Sequence, residues 1–234
     1  MGFLRSALSA FGALVPQKSA RLKPTLITER CIDNASVERW LAEITLTASN
    51  GLSARFLNYG ATLANITLPD GTSVVAGYEN PADFIDAPGY VGAAIGPVAN
   101  RIEGGTFAID EQTFQIAPDE GANLLHSGPE GYHTQFWDHM IGEDANGPFL
   151  RLSLFSPDRA RGFPSDSWAF IEARLSHDAL HLDLRAQVSR RSWINMTMHP
   201  YFNPTGAFDK PVNGLTLWSP ATHAALNAPD GLPL

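Results

Sequence analysis

The sequence predicts an all-β fold, a sandwich or barrel, on three observations. Apolar side chains recur at every second position in several short runs. Clusters of Gly, Pro, Asn and Asp separate those runs. Beyond the first 22 residues, no stretch keeps the apolar spacing of a helix for three turns. Residues 40–47 and 61–68 give the first alternating segments, and Pro69-Asp70-Gly71 closes the second with turn chemistry. Residues 106–117 read as a hairpin, Phe107 and Ile109 on one arm and Phe114 and Ile116 on the other. The segment 149–155 alternates again after Asn146-Gly147-Pro148. The clearest strand is 179–189, where Leu180, Leu182, Leu184, Ala186 and Val188 alternate with His181, Asp183, Arg185, Gln187 and Ser189. Two segments resist strand assignment, 77–92 and 117–135, and long loops in a compact domain usually carry function.

Length and composition bound the rest. A 234-residue chain with 44% hydrophobic residues can bury a large core in one domain. Residues 1–22 read as an N-terminal extension, and residues 23–234 as the β domain. The net charge of -8 argues against nucleic acid and anionic membranes, whose phosphates require a concentrated basic surface. A single cysteine, Cys31, excludes an intramolecular disulfide framework and a thiolate zinc cluster. That count fits a cytoplasmic protein. The apolar run 7–15 behind Arg5 is faintly signal-like and leaves export as the alternative, but it is too short to span a bilayer.

The segment Asn195-Met-Thr-Met-His-Pro-Tyr-Phe-Asn203 carries the first chemical signal. Extended backbone puts Met196 and Met198 on one side, and Asn195, Thr197, His199 and Tyr201 on the other. Pro200 holds His199 in extended geometry and cannot donate to a sheet ladder. Three further polar residues lie in apolar context: Asn100 and Arg101 after VGAAIGPVA, and His126 after NLL. Singly, each has an ordinary structural use, as turn residue, ion-pair partner or backbone cap. Together they supply donors and imidazoles suited to a hydroxyl-rich ligand, with Trp137 and Tyr201 available to cover a sugar ring. His126, His133 and His139 match no metal-ligand spacing, no G-x-S-x-G elbow is present, and no glycine-rich turn has a phosphate-loop setting.

Five collinear motifs, NYGATL (58–63), VANRI (98–102), NLLHSG (123–128), SPDRARGFP (156–164) and NMTMHPYFNPTG (195–206), resemble the aldose 1-epimerase, or galactose mutarotase, family. The resemblance implies a large antiparallel β-sandwich with a sugar site on its concave sheet. It implies His199 as general acid and Asn100, Arg101 and His126 as sugar-binding residues, with no cofactor or metal. The family's general base is a glutamate from a segment beyond the one that Leu234 ends, so the chain is expected to lack the C-terminal part of the domain. Pro97 stands where the family commonly has arginine, Ser127 where it usually has glycine, and Arg159 and Arg161 where acidic residues are frequent. The implied activity is interconversion of the α and β anomers of a free hexose. A hexose-6-phosphate 1-epimerase and a noncatalytic carbohydrate-binding module are the alternatives.

Overall fold

The computed structural model describes residues 25–32, 40–85 and 87–234; the extension at residues 1–22 lies outside them. Strands β1 (Thr25–Ile32), β2 (Leu41–Ala48), β3 (Ser53–Leu57) and β4 (Leu63–Thr67) form one antiparallel sheet in sequential order. Strands β10 (Asp138–Asp144), β11 (Gly147–Ser156), β12 (Ser167–Leu175) and β13 (Leu180–Val188) form a second antiparallel sheet, also in sequential order. Between them come β5 (Ala94–Ile95), β6 (Arg101–Glu103), β7 (Thr106–Ile109), β8 (Gln112–Gln115) and β9 (Asn123–Leu125). The last strand, β14 (Thr197–Met198), follows β13.

Period-two patterning decides which faces meet. Ile44, Leu46, Ala54 and Phe56 of the first sheet pack in one buried cluster with Leu150, Leu152, Ile171 and Ala173 of the second. Thr25 ties the sheets together, its hydroxyl donating to the Leu175 carbonyl at 2.7 Å. Burying aliphatic side chains of this size contributes about 1.5–3 kcal/mol each, so this interface is the main stabilising layer. The expected hairpin forms as β7–β8, with Phe107 opposite Phe114. Its aromatics join Val98, Ile102, Leu124 and Phe163 in a second cluster.

The connections that bring distant residues together are short two-stranded ladders. β14 pairs with β5, Thr197 opposite Ile95 and Met198 opposite Ala94. Beyond β14 the His199 amide donates to the Ala93 carbonyl at 2.9 Å, and the Gly92 amide to the His199 carbonyl at 3.0 Å. Met196 and Met198 pack against the main core, the side the alternation assigns them. β6 pairs with β9, Arg101 opposite Leu125. Gly96 lets the chain turn tightly past Tyr132: a Cβ there would sit 2.2 Å from the Tyr132 ring, which is fully buried. Among the described residues, no helix is long and apolar enough to cross a membrane.

Candidate functional site

The two ladders converge on Tyr90, in the first of the two long loops. Its ring meets His126 at 4.6 Å between centroids, His133 at 4.8 Å and His199 at 5.7 Å. The His126 and His199 rings are themselves 5.4 Å apart and edge-on, and His199 lies 5.0 Å from Tyr201. Residues 90, 126 and 199 are far apart in sequence, and the β5–β14 and β6–β9 pairings help bring them together. Tyr201 is about half exposed at 46%, so this end of the cluster faces solvent.

His126 is held in a defined protonation state. The ladder of β6 and β9 runs one pair past its last residues, where the His126 amide donates to the Asn100 carbonyl at 2.9 Å. In return the Asn100 amide donates to His126 Nδ1 at 2.9 Å. Accepting at Nδ1 puts the proton of the neutral ring on Nε2, leaving a single outward donor. Burial lowers the His126 pKa to about 4, helped by the neighbouring His199, His133 and Arg101 charges. The His133 pKa is also lowered to about 4, again by burial, and its Nδ1 is buried without a hydrogen-bond partner. Tyr90 is pushed above its usual value by burial and by the Asp119 and Glu120 carboxylates.

The sharp reversal at residues 126–128 has a backbone cause. Asn100, His126 and Ser127 all have positive φ, at 65°, 52° and 70°. Asn and His tolerate that region better than most side chains, and Ser127 occupies it where glycine would do so without strain. The serine hydroxyl compensates by accepting from the Val98 amide and donating to the Val98 carbonyl, each at 2.8 Å. It thereby locks the loop carrying His126 to the strand entering Asn100.

Arg101 lies beside this cluster and is already paired. Its Nε and Nη2 donate to the two Glu120 oxygens at 2.5 and 2.7 Å, and Nη1 reaches Asn100 Oδ1 at 3.4 Å. This pairing raises the guanidinium pKa and lowers that of Glu120. The guanidinium lines two open grooves, one of ≈ 500 Å³ with Asn100, Trp193 and Asn195, and one of ≈ 730 Å³ with Glu120, Asn123 and Asp230. His126 and His199 line neither groove; Asn100 is the residue linking guanidinium to imidazole.

All four residues singled out in the sequence, Asn100, Arg101, His126 and His199, therefore fall in one neighbourhood. Trp137 does not join them. It is buried at 2% exposure, packs edge-on against Tyr132 and donates its indole N–H to the Tyr132 carbonyl at 3.1 Å. That indole is a core side chain and cannot cover a ligand. Of the two aromatics considered, only Tyr201 stands at the cluster. His139 is also elsewhere, on β10 with Nε2 2.9 Å from Glu29 Oε1. Among the described residues, no group of three or more His, Cys, Asp or Glu could hold a metal ion. Tyr90 and Glu120 escaped the residue-level reading, although both lie in the two loops flagged as functional.

Comparison with known proteins decides the family. The aldose 1-epimerase family model matches residues 42–233. The chain belongs to the aldose 1-epimerase family. It is 34% identical over 168 residues to the aldose 1-epimerase of Escherichia coli K12, covering 70% of this chain and 48% of that protein. It is 31% identical over 162 residues to the galactose mutarotase of Bos taurus, covering 68% and 46%. Among solved structures, galactose 1-epimerase from Lactobacillus acidophilus NCFM superposes with a TM-score of 0.70 at 27% identity, covering 78% of this chain and 53% of that one. The chain thus spans about half the length of the curated relatives it matches.

Proposed function

We propose that this aldose 1-epimerase family chain carries the sugar-binding and proton-donating part of a site that interconverts α and β anomers of a free hexose. The observation that carries the reading is the meeting of His126 and His199 at 5.4 Å around Tyr90, with Asn100 and Arg101 alongside. Anomer exchange breaks the bond between C1 and the ring oxygen. His199 donates a proton to that oxygen as the bond opens, while a base removes the proton of the C1 hydroxyl. The open aldehyde rotates about C1–C2 and recloses on either face, returning both protons. Imidazole is the side chain whose ordinary pKa lies nearest neutrality, which suits this donor role. His126, kept neutral with its proton on Nε2, serves as a fixed donor to a sugar oxygen. Asn100 and Arg101 hold ring hydroxyls. No residue of the chain is assigned the base; among the described residues, no carboxylate is hydrogen-bonded to His199.

Arg101 favours a free sugar over a phosphorylated one. A phosphate would have to displace Glu120 from a bidentate pair and then face the nearby Glu120 and Asp230 charges. Polarimetry on freshly dissolved α-D-glucose or α-D-galactose tests the reading, with calorimetric binding alongside. The expected result is accelerated loss of the rotation excess, reduced about 10²- to 10⁴-fold in His199→Gln. Binding without acceleration would support a carbohydrate-binding module instead. Neither binding nor acceleration would remove the sugar reading altogether.

A further inference from the structure

Three rings of the site form a closed triangle. Between centroids, Tyr90 lies 4.6 Å from His126 and 5.7 Å from His199, and the two imidazoles lie 5.4 Å from each other. These are contact separations for aromatic rings, and the Tyr90–His126 contact is edge-on at 82°. Tyr90 also meets His133 edge-on at 4.8 Å, so one side chain touches all three imidazoles of the cluster. Rotation of either site imidazole presses on the phenol ring.

Hydrogen bonds alone leave that rotation open. The second torsion of a histidine is soft and roughly two-fold, and the Asn100 amide holds His126 only at Nδ1. The His199 amide and carbonyl bond to Ala93 and Gly92, which fixes its backbone but not its ring. Tyr90 is anchored to the same piece of chain. The Ala93 amide donates to the Tyr90 carbonyl at 3.1 Å, closing a turn whose Gly92 and Ala93 carry both backbone bonds to His199. Earlier in the same loop, the Arg55 guanidinium donates to the Tyr78 and Glu79 carbonyls at 2.6 and 3.1 Å and is itself held by Glu43 at 3.1 Å.

We propose that Tyr90 is a positioning residue whose ring, rather than its hydroxyl, holds His126 and His199 in their working orientations. Its catalytic consequence rests on the anomer-exchange reading, in which His126 donates from Nε2 and His199 passes a proton. A misplacement of about 1 Å in such groups can cost about 10²-fold in rate.

Variants of the full chain test this. Tyr90→Leu and Tyr90→Met remove the ring, and Tyr90→Phe removes only the hydroxyl; circular dichroism and urea midpoints identify the variants that keep the fold. Long-range ¹H–¹⁵N correlation without sugar is expected to show His126 as the single Nε2–H tautomer in wild type and Tyr90→Phe. In the ring-free variants it is expected to show a mixture of tautomers, as the imidazole turns away from the Asn100 amide. Loss of a neighbouring ring current shifts nitrogen signals far too little to imitate that change. In polarimetry, the ring-free variants are expected to lose about 10- to 100-fold in kcat with KM changed less than about threefold, and Tyr90→Phe to recover most of the loss. One His126 tautomer retained in a folded ring-free variant would overturn the proposal, as would Tyr90→Phe falling as far as Tyr90→Leu. A wild type that neither binds nor turns over sugar would sink the anomer-exchange reading and the catalytic consequence with it. The tautomer measurement needs no sugar, and decides separately whether Tyr90 holds the imidazoles.

Discussion

Ser127 shows how one residue reconciles a strained backbone with a needed geometry. Its φ of 70° is unfavourable for a side chain, yet its hydroxyl satisfies both backbone groups of Val98. Ser127→Ala keeps the strain and removes both bonds, so it should destabilise the protein by about 1–3 kcal/mol. Ser127→Gly removes the bonds and the strain together and should cost less. Urea unfolding midpoints of the two variants check that order; an alanine variant as stable as the glycine variant would contradict it. Legibility at this scale followed from context. A histidine before proline at the end of an alternating run was visible because Pro200 restricts its neighbour. Tyr90 was not, because nothing local distinguishes it from other loop aromatics; its place exists only once β14 and β9 bring His199 and His126 together against its ring. Trp137 was misjudged as a ligand cover for the opposite reason. Its setting between Phe136 and Asp138, at the end of a long loop, conceals a core position fixed by Tyr132.

At the scale of elements, strands whose alternation reflects one wet face were legible, and those buried or very short were not. The segment 179–189 became β13 almost residue for residue, and 106–117 became the β7–β8 hairpin. β12 escaped notice because the face turned away from the sheet–sheet core carries Trp168 and a buried Phe170 beside Glu172 and Arg174, which hides the alternation. β5, β6, β9 and β14 are two or three residues long, too short for any periodicity, and their pairings are long-range. Yet these are the elements that assemble the site. Gly96 gives a direct test. A methyl group there would overlap the buried Tyr132 ring, so Gly96→Ala should cost about 3 kcal/mol or more, at or above the upper end of ordinary overpacking. Thermal or denaturant unfolding measures it; a near-neutral effect would mean that β5 and Tyr132 are not packed as described. Leu152→Ala on β11 should cost about 2–5 kcal/mol by opening a cavity between the two sheets. It should leave any sugar affinity unchanged in the folded fraction, because Leu152 belongs to the layer behind the site.

Across the whole molecule, stability and the site share an electrostatic condition. His126 and His133 are held neutral by burial, their pKa values lowered from 6.5 to about 4. Between those values the unfolded chain binds more protons than the folded one, so stability rises with pH. The contribution is complete above pH 6.5 and is lost as pH falls toward 4. Denaturant midpoints should therefore drop across that window, and replacing both residues with Gln should flatten the drop; an unchanged slope would contradict the buried-neutral assignment. The fold class was legible at this scale because a long chain of short alternating runs has few ways to bury its apolar faces other than sheet on sheet. How the two four-stranded sheets meet was not, since that depends on Ile44, Phe56, Leu152 and Ile171 finding each other across the core.

The central proposal is that His126 and His199, packed against each other and against Tyr90, face one sugar-sized ligand. Long-range ¹H–¹⁵N correlation of the imidazole nitrogens, recorded while D-galactose or D-glucose is added, tests it without requiring turnover. The account predicts that His126 is seen with its proton on Nε2 and that His126 and His199 shift together with one saturation curve, while His177, His181 and His223 stay fixed. Sugar-induced shifts confined to those distant histidines, or saturation of one site imidazole without the other, would contradict it.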